Sequence, residues 1–131
     1  MKKVNYYYLI AGFLAILFSI THELHGQQTS LPALYAKGLD VNTVTTFRYV
    51  WHIITIENCI FGITFIVMSF CRRVKNMRFL AWLICAILIT RLFAIISTTL
   101  IMDGSLSDLG IDIIAIIVYV TIILLGTRVK D

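Results

Sequence analysis

Four long apolar runs, separated by short polar segments, occupy most of the chain: Val4–Thr21, Val44–Phe70, Met77–Met102 and Leu109–Thr127. A helix needs about 20 mostly apolar residues to cross ~30 Å of hydrocarbon, and each run is close to that length or longer. Backbone N–H and C=O groups in lipid must be satisfied within their own segment, which favours helices. The pattern therefore predicts an all-α integral membrane protein, a four-helix antiparallel bundle that forms one transmembrane domain over residues 1–131.

Composition supports this class. Apolar residues make up 60% of the chain and charged residues 14%, against roughly 45–50% and about 25% in soluble domains. Little sequence is left outside the four runs, so we expect no soluble domain. The net charge of +4 is better explained by contact with anionic lipid head groups than by nucleic-acid binding.

Lysine and arginine outside the apolar runs fall mainly on one side of the predicted bundle. That side contains both termini and the loop between the second and third runs, and it carries Lys2, Lys3, Arg72, Arg73, Lys75, Arg78, Arg128 and Lys130. The loops of the opposite side carry only Lys37. The positive-inside rule then places both termini in the cytoplasm, an N-in/C-in topology with the other loops outside.

The first outer loop, His22–Thr43, is the one long connection. Its segment from Ser30 to Gly38 predicts a short interfacial helix. Ser30 can cap the start, Pro32 is tolerated in the first turn, and Gly38 can end the helix. The other connections are short, which favours antiparallel neighbours.

The second apolar run carries a stripe of polar and small residues. Its members recur at spacings of 3 or 4, so they share one helical face: Thr45, Arg48, His52, Thr55, Cys59 and Gly62. Polar groups that face lipid are costly, so this face is expected to point into the bundle.

Two ionisable residues lie deep in neighbouring runs. Arg91 is about ten residues, or ~15 Å, inward from Met102, and Glu57 is about as deep if the hydrocarbon begins near Phe47. Equal depth on antiparallel neighbours predicts an ion pair. Such a pair can be structural and fix the register of the two helices, or it can belong to a relay for protons or substrate. Both interpretations stay open.

The outer side also collects all three histidines and four of the acids. Its members are His22, Glu23, His25, His52, Asp103, Asp108 and Asp112, with Arg48 beside them. His22-Glu23-Leu24-His25 is one residue shorter than the zinc motif His-Glu-x-x-His. His22 and His25 can still share a divalent metal with His52 or Asp112 as a third ligand; the alternative is a hydrogen-bonded cluster without an ion. Haem is disfavoured, because His22 and His25 lie too near the surface to pair with His52.

A short motif gives a resemblance. A histidine at the end of the first helix, Pro32-Ala33-Leu34 in the outer loop, and then Phe47-Arg48-Tyr49-Val50-Trp51-His52 resemble small four-span bacterial membrane proteins, and the architecture is similar to DoxX-like bundles. The resemblance covers mainly residues 22–60. It implies a four-helix fold in the bacterial inner membrane and draws attention to Arg48, Trp51 and His52, but it implies no particular activity.

Three functions fit these residues. The first is a transport or channel-type protein that uses Arg48, His52, Glu57, Arg91 and Asp112 as a ligand or ion path. A lone four-helix bundle has a narrow interior, so we expect a homo-oligomer or a membrane partner protein. The second is an accessory subunit of a membrane complex with no chemistry of its own. The third is a metal-binding membrane enzyme that uses the outer histidines. The sequence alone does not decide whether the chain is an enzyme.

Overall fold

The computed structural model describes residues 4–71 and 74–129. For residues 74–76 it describes the backbone alone. All regular structure in these ranges is helical. The elements are α1 (Tyr6–His25), a π-helical turn (Gly26–Ser30), α2 (Leu31–Ala36), α3 (Val41–Phe70), α4 (Val74–Met102), a 3-10 turn (Ser107–Leu109) and α5 (Gly110–Thr127).

Four segments within the described ranges are long and apolar enough to cross a membrane: Tyr6–Ala36, Val41–Phe70, Met77–Met102 and Ser107–Thr127. The all-helical fold and the four spans predicted from the apolar runs are therefore confirmed. Large apolar side chains on each span are exposed, such as Phe13, Ile56, Phe93 and Ile114. In water this distribution would be unfavourable, whereas lipid accepts it without cost. These features indicate a multi-pass membrane protein.

The first span continues beyond the apolar run that predicted it. The π-helical turn carries the chain from α1 into α2 without a break, and the N–H of Leu31 donates to the carbonyl of Gly26. A helix therefore forms near the predicted place, but Ser30 does not cap it: its backbone is helical and its side chain makes no capping bond. Gly38 ends the segment as predicted, with a φ of 66° that favours glycine.

Close contacts divide the chain into two compact units. The first, here called the central unit, is Gly12–Thr64. Its core is the packing of α1 against α3, where Gly62 lies so close to α1 that an added Cβ would be 2.9 Å from the carbonyl oxygen of Gly12. Ser19, one turn before Glu23, donates to the main-chain oxygen of Thr55 at 2.8 Å. Small residues at these positions allow the two backbones to approach, as in other membrane helix pairs.

The second, here called the terminal unit, contains the chain up to Ala11 and from Phe65 onward. Its core is formed by α4 against α5 with the start of α1. The N–H of Asn5 donates to the oxygen of Ser69 at 3.0 Å, and its side-chain amide donates to that of Gly126 at 2.9 Å. Tyr8, Phe65 and Tyr119 pack together as a row of rings. These contacts join the beginning of α1 to the ends of α3 and α5.

Several residues that carried the topology prediction lie outside the described part of the chain. They are Lys2, Lys3, Arg72, Arg73 and Lys130, and the side chain of Lys75 is also outside it. The N-in/C-in orientation and the single domain over residues 1–131 stay predictions.

Candidate functional site

A carboxylate on α1 and an imidazole on α3 form an ion pair in the central unit. Oε2 of Glu23 lies 3.1 Å from Nδ1 of His52. The same oxygen accepts the hydroxyl of Thr55 at 3.0 Å, and that hydroxyl is shared with the main-chain oxygen of Trp51 at 3.3 Å. His52 and Thr55 are three residues apart, so the helical repeat places both on the face that meets Glu23.

The second oxygen of the carboxylate is held by the π-helical turn. Oε1 of Glu23 accepts the side-chain amide of Gln27 at 2.9 Å. Glu23 thus has hydrogen-bond partners on both oxygens, one from the π-helical turn and two from α3. The side chains of His52 and Glu23 nevertheless remain 37% and 32% exposed, so a proton, an ion or another chain can reach them.

Trp51 borders the hydrogen-bonded cluster of Glu23, Gln27, His52 and Thr55. Its indole stacks on the imidazole of His22, with ring centroids 4.2 Å apart and planes 6° from parallel. Its Nε1 donates to the main-chain oxygen of His22 at 3.1 Å. The indole also covers Gly26, where an added Cβ would lie 2.5 Å from Cε2 of Trp51. Glycine at position 26 therefore allows the indole to pack directly against the backbone.

The beginning of α3 carries two further polar contacts. Nη1 of the exposed Arg48 donates to the hydroxyl of Tyr35 at 3.2 Å. Asp40 caps the helix, since its Oδ1 accepts the N–H of Thr43 at 3.0 Å and its other oxygen accepts the Thr43 hydroxyl. The hydrogen bonds from Thr43 lower the pKa of the Asp40 carboxyl.

The residues predicted as a ligand or ion path are distributed over both units. His52 lies in the Glu23 cluster, and Arg48 lies one turn earlier on α3. Glu57 is half-buried on the same helix in the central unit. Arg91, half-buried on α4, and Asp112, exposed on α5, belong to the terminal unit. The Glu57–Arg91 ion pair stays a prediction.

The histidines predicted as metal ligands have different surroundings. His22 stacks on Trp51, His52 contacts Glu23, and the exposed His25 is tilted toward Trp51 with ring centroids 6.3 Å apart. Among the described residues, no three side chains of His, Cys, Asp or Glu are arranged to hold a metal ion. The metal site stays a prediction that the arrangement of these residues does not favour.

Glu23 is the site residue that the sequence reasoning did not select. The sequence shows it within the outer group of polar residues and the shortened zinc motif, whereas the structure places it at the centre of the cluster. A signal was present: Gly12, Ser19, Glu23 and Gly26 are spaced by 7, 4 and 3 residues and share one face of α1. This stripe contacts Thr55, Gly62 and Trp51 of α3.

Comparisons with known proteins give no family or relative. No protein-family model matches the chain, and neither the curated proteins nor the solved structures contain a significant match. The functional argument therefore rests on the residues themselves.

Proposed function

We propose that the chain is a small transport or channel-type protein that takes up and releases a proton or cation at the Glu23–His52 pair. The observation that carries the proposal is this pair itself, a half-exposed carboxylate and imidazole 3.1 Å apart on two candidate spans. Ionisable groups in membrane spans are costly, and they commonly mark paths for ions or protons.

The chemistry of the pair suits reversible proton binding. Histidine is the side chain whose ordinary pKa lies nearest neutral pH. Glu23 can accept a hydrogen bond from a protonated His52, and the hydroxyl of Thr55 and the amide of Gln27 hold the carboxylate in position. Release of the proton leaves an oxygen-rich site that can also receive a cation.

A second copy of the chain is the expected partner. A bundle of four helices has too narrow an interior for a wide aqueous path. The exposed fractions of Glu23 and His52 leave the pair open to a neighbouring chain. We therefore place the ion path at a contact between copies or with a membrane partner protein.

The proposal includes a topology. The partners of α1 run in reverse order along α3: Gly12 contacts Gly62, Ser19 contacts Thr55, and Glu23 contacts His52. This order supports an antiparallel bundle. The basic residues of the termini and of the loop before α4 support an N-in/C-in orientation. With the resemblance to small bacterial proteins, they support a location in a bacterial inner membrane.

The test is an ion-flux measurement in proteoliposomes that contain a pH-sensitive dye, with Na⁺ and K⁺ gradients in separate arms. We expect flux through the wild type and its loss in Glu23→Gln, which keeps the shape of the side chain and removes its charge. His52→Gln should also lose flux. Asp103→Asn is the matched control, since it removes an exposed acid of the terminal unit that is not among the predicted ligand or ion-path residues.

Equal flux in the wild type and Glu23→Gln would overturn the role of the pair. If the wild type carries no flux at all, the transport proposal fails. Co-purification of a stoichiometric membrane partner would then assign an accessory subunit, and bound metal that disappears in His52→Gln would assign a metal-binding protein.

A further inference from the structure

A second polar region lies in the terminal unit, where α1 begins and α5 ends. Nη2 of Arg78, in the first turns of α4, donates to the main-chain oxygen of Val129 at 3.2 Å. Asn5 joins the same end through the oxygen of Gly126. One turn further along α1, the ring of Tyr8 packs on Phe65 with centroids 5.6 Å apart.

Two donors in this region are buried without an acceptor. Tyr8 is only 3% exposed, and neither its hydroxyl nor Nε of Arg78 has a hydrogen-bond partner among the described residues. The ring of Tyr8 lies against Gly126, where an added Cβ would be 2.5 Å from its Cδ1, and Arg78 bonds to Val129 three residues further along, so both groups lie at the end of α5. Buried polar atoms in native proteins are almost always satisfied, by protein, by water or by a ligand.

The missing group is an acceptor, and its charge is expected to be negative. A guanidinium has donors only, and a planar fork of N–H groups matches the oxygens of carboxylate or phosphate. Among the described residues, no carboxylate forms an ion pair with Arg78. An anion from outside the chain would supply both the acceptor and the countercharge.

The surrounding sequence favours phosphate. The segments next to these helix ends contain Lys2, Lys3, Arg72, Arg73 and Lys130. Clusters of basic residues at the ends of membrane helices attract lipid phosphate groups. Arg78 as a whole residue is half-buried and not fully enclosed.

We propose that the terminal unit binds a phosphate group at Arg78, with the hydroxyl of Tyr8 as a second donor. The same chemistry is present in an anionic lipid head group and in inorganic phosphate. This site shares no residue with the Glu23–His52 pair, so it does not depend on the function proposed above.

The test is a binding measurement on the full chain in a maltoside detergent, which contains no phosphate. Short-chain phosphatidylglycerol and inorganic phosphate are titrated separately, and binding is followed by native mass spectrometry and by the shift in thermal unfolding. Arg78→Gln should weaken binding about tenfold or more, the value of a hydrogen bond to a charged group. Arg128→Gln removes the same charge from an exposed residue of the same end and should change binding by about threefold or less.

Tyr8→Phe keeps the ring and removes only the hydroxyl, so it tests the site even if Arg78→Gln fails to fold. It should weaken binding by about fivefold. Binding of phosphatidylglycerol but not inorganic phosphate assigns the site to lipid, and the reverse assigns it to the free ion. Equal losses in Arg78→Gln and Arg128→Gln, no effect of Tyr8→Phe, or no binding of either probe would overturn the proposal.

Discussion

The central and terminal units satisfy their buried polar groups in different ways. In the central unit, the carboxylate of Glu23 on α1 has hydrogen-bond partners in the π-helical turn (Gln27) and on α3 (His52 and Thr55). In the terminal unit, Tyr8 and Arg78 have buried donors without a described acceptor. The carboxylate of the first arrangement has its partners within the chain, whereas the described residues leave the donors of the second without an acceptor.

The comparison indicates which buried polar groups stabilise each unit. A polar group that has its partners contributes to the packing of two helices, and its removal leaves those partners unsatisfied. A polar group without a partner costs stability until a ligand arrives, and its removal can be neutral or favourable. Matched substitutions in the two units can therefore distinguish a structural cluster from a binding site.

The largest expected effect concerns packing in the central unit. In Gly62→Ala the added methyl group would lie 2.9 Å from the carbonyl oxygen of Gly12 and 2.6 Å from Cγ1 of Ile16. The side chain can move, but the backbone oxygen cannot without separating α1 from α3. We expect a loss of about 1–3 kcal/mol in the free energy of unfolding, measured by unfolding in mixed micelles.

Gly110→Ala is the control for this prediction. An added Cβ at Gly110 meets nothing within 4 Å, and alanine is the better helix former. Its stability should be unchanged or slightly raised. If both variants unfold alike, close packing at Gly62 does not hold the central unit.

The next effect concerns the satisfied cluster. Thr55→Val keeps the branched shape and removes the hydroxyl that donates to Glu23 at 3.0 Å. Since Glu23 keeps other donors and is partly exposed, we expect a loss of about 1 kcal/mol. Thr121→Val is the control, because the exposed Thr121 bonds only to the main chain of its own helix, at Ile117. A loss in Thr121→Val equal to that in Thr55→Val would contradict a specific role for the cluster.

The opposite sign is expected for the terminal unit. In phosphate-free detergent, Tyr8→Phe removes a buried hydroxyl that has no partner in the described chain. The unfolding free energy should stay the same or rise by up to about 1 kcal/mol. Tyr6→Phe, at a residue that is 69% exposed, should have no effect. A clear destabilisation in Tyr8→Phe without ligand would mean that the hydroxyl is already satisfied, and the contrast between the units would disappear.

The smallest effect concerns the start of α3. Thr43 holds the pKa of the Asp40 carboxyl below its ordinary value, so the ionised cap favours the folded state. This stabilisation is present above the ordinary pKa of aspartate, about 3.9. It is lost as the pH falls through the lowered value. Fraying of the helix end at acidic pH should be visible by hydrogen exchange of the amides that follow Asp40.

Asp40→Asn removes the negative charge at the start of α3 and keeps a side chain that can cap the helix. Asparagine also caps helices well, so the variant should keep the helix end and lose its pH dependence below about pH 4. An unchanged pH profile in Asp40→Asn would assign the dependence to another group.

The sequence predicted the spans because hydrophobic length is a local property. The apolar run Val44–Phe70 corresponds to α3, which extends from Val41 to Phe70. The run Leu109–Thr127 corresponds to α5, which extends from Gly110 to Thr127. The face of α3 was also predictable, since a spacing of 3 and 4 residues follows from the helical repeat alone. His52, Thr55 and Gly62 of that stripe do contact α1.

The partner of His52 could not be read from the sequence in the same way. The shortened zinc motif suggested that His22 and His25 act with His52, but the π-helical turn and the stack on Trp51 give the histidines separate environments. Which residue of α1 meets His52 depends on the register of two helices 29 positions apart in sequence. Local patterns do not determine that register, because many registers bury the same apolar area.

The length and polarity of the apolar runs are enough to predict the class of protein. It is an all-helical chain with four segments long and apolar enough to cross a membrane. Which polar residues contact each other depends on how the helices pack in the tertiary structure. Glu23 is the acceptor for His52 and Thr55, whereas Arg78 and Tyr8 both lie at the end of α5 with buried donors that have no described acceptor. The physical reason is that burial in lipid acts on every apolar residue alike, whereas a hydrogen bond requires two particular atoms within about 3 Å.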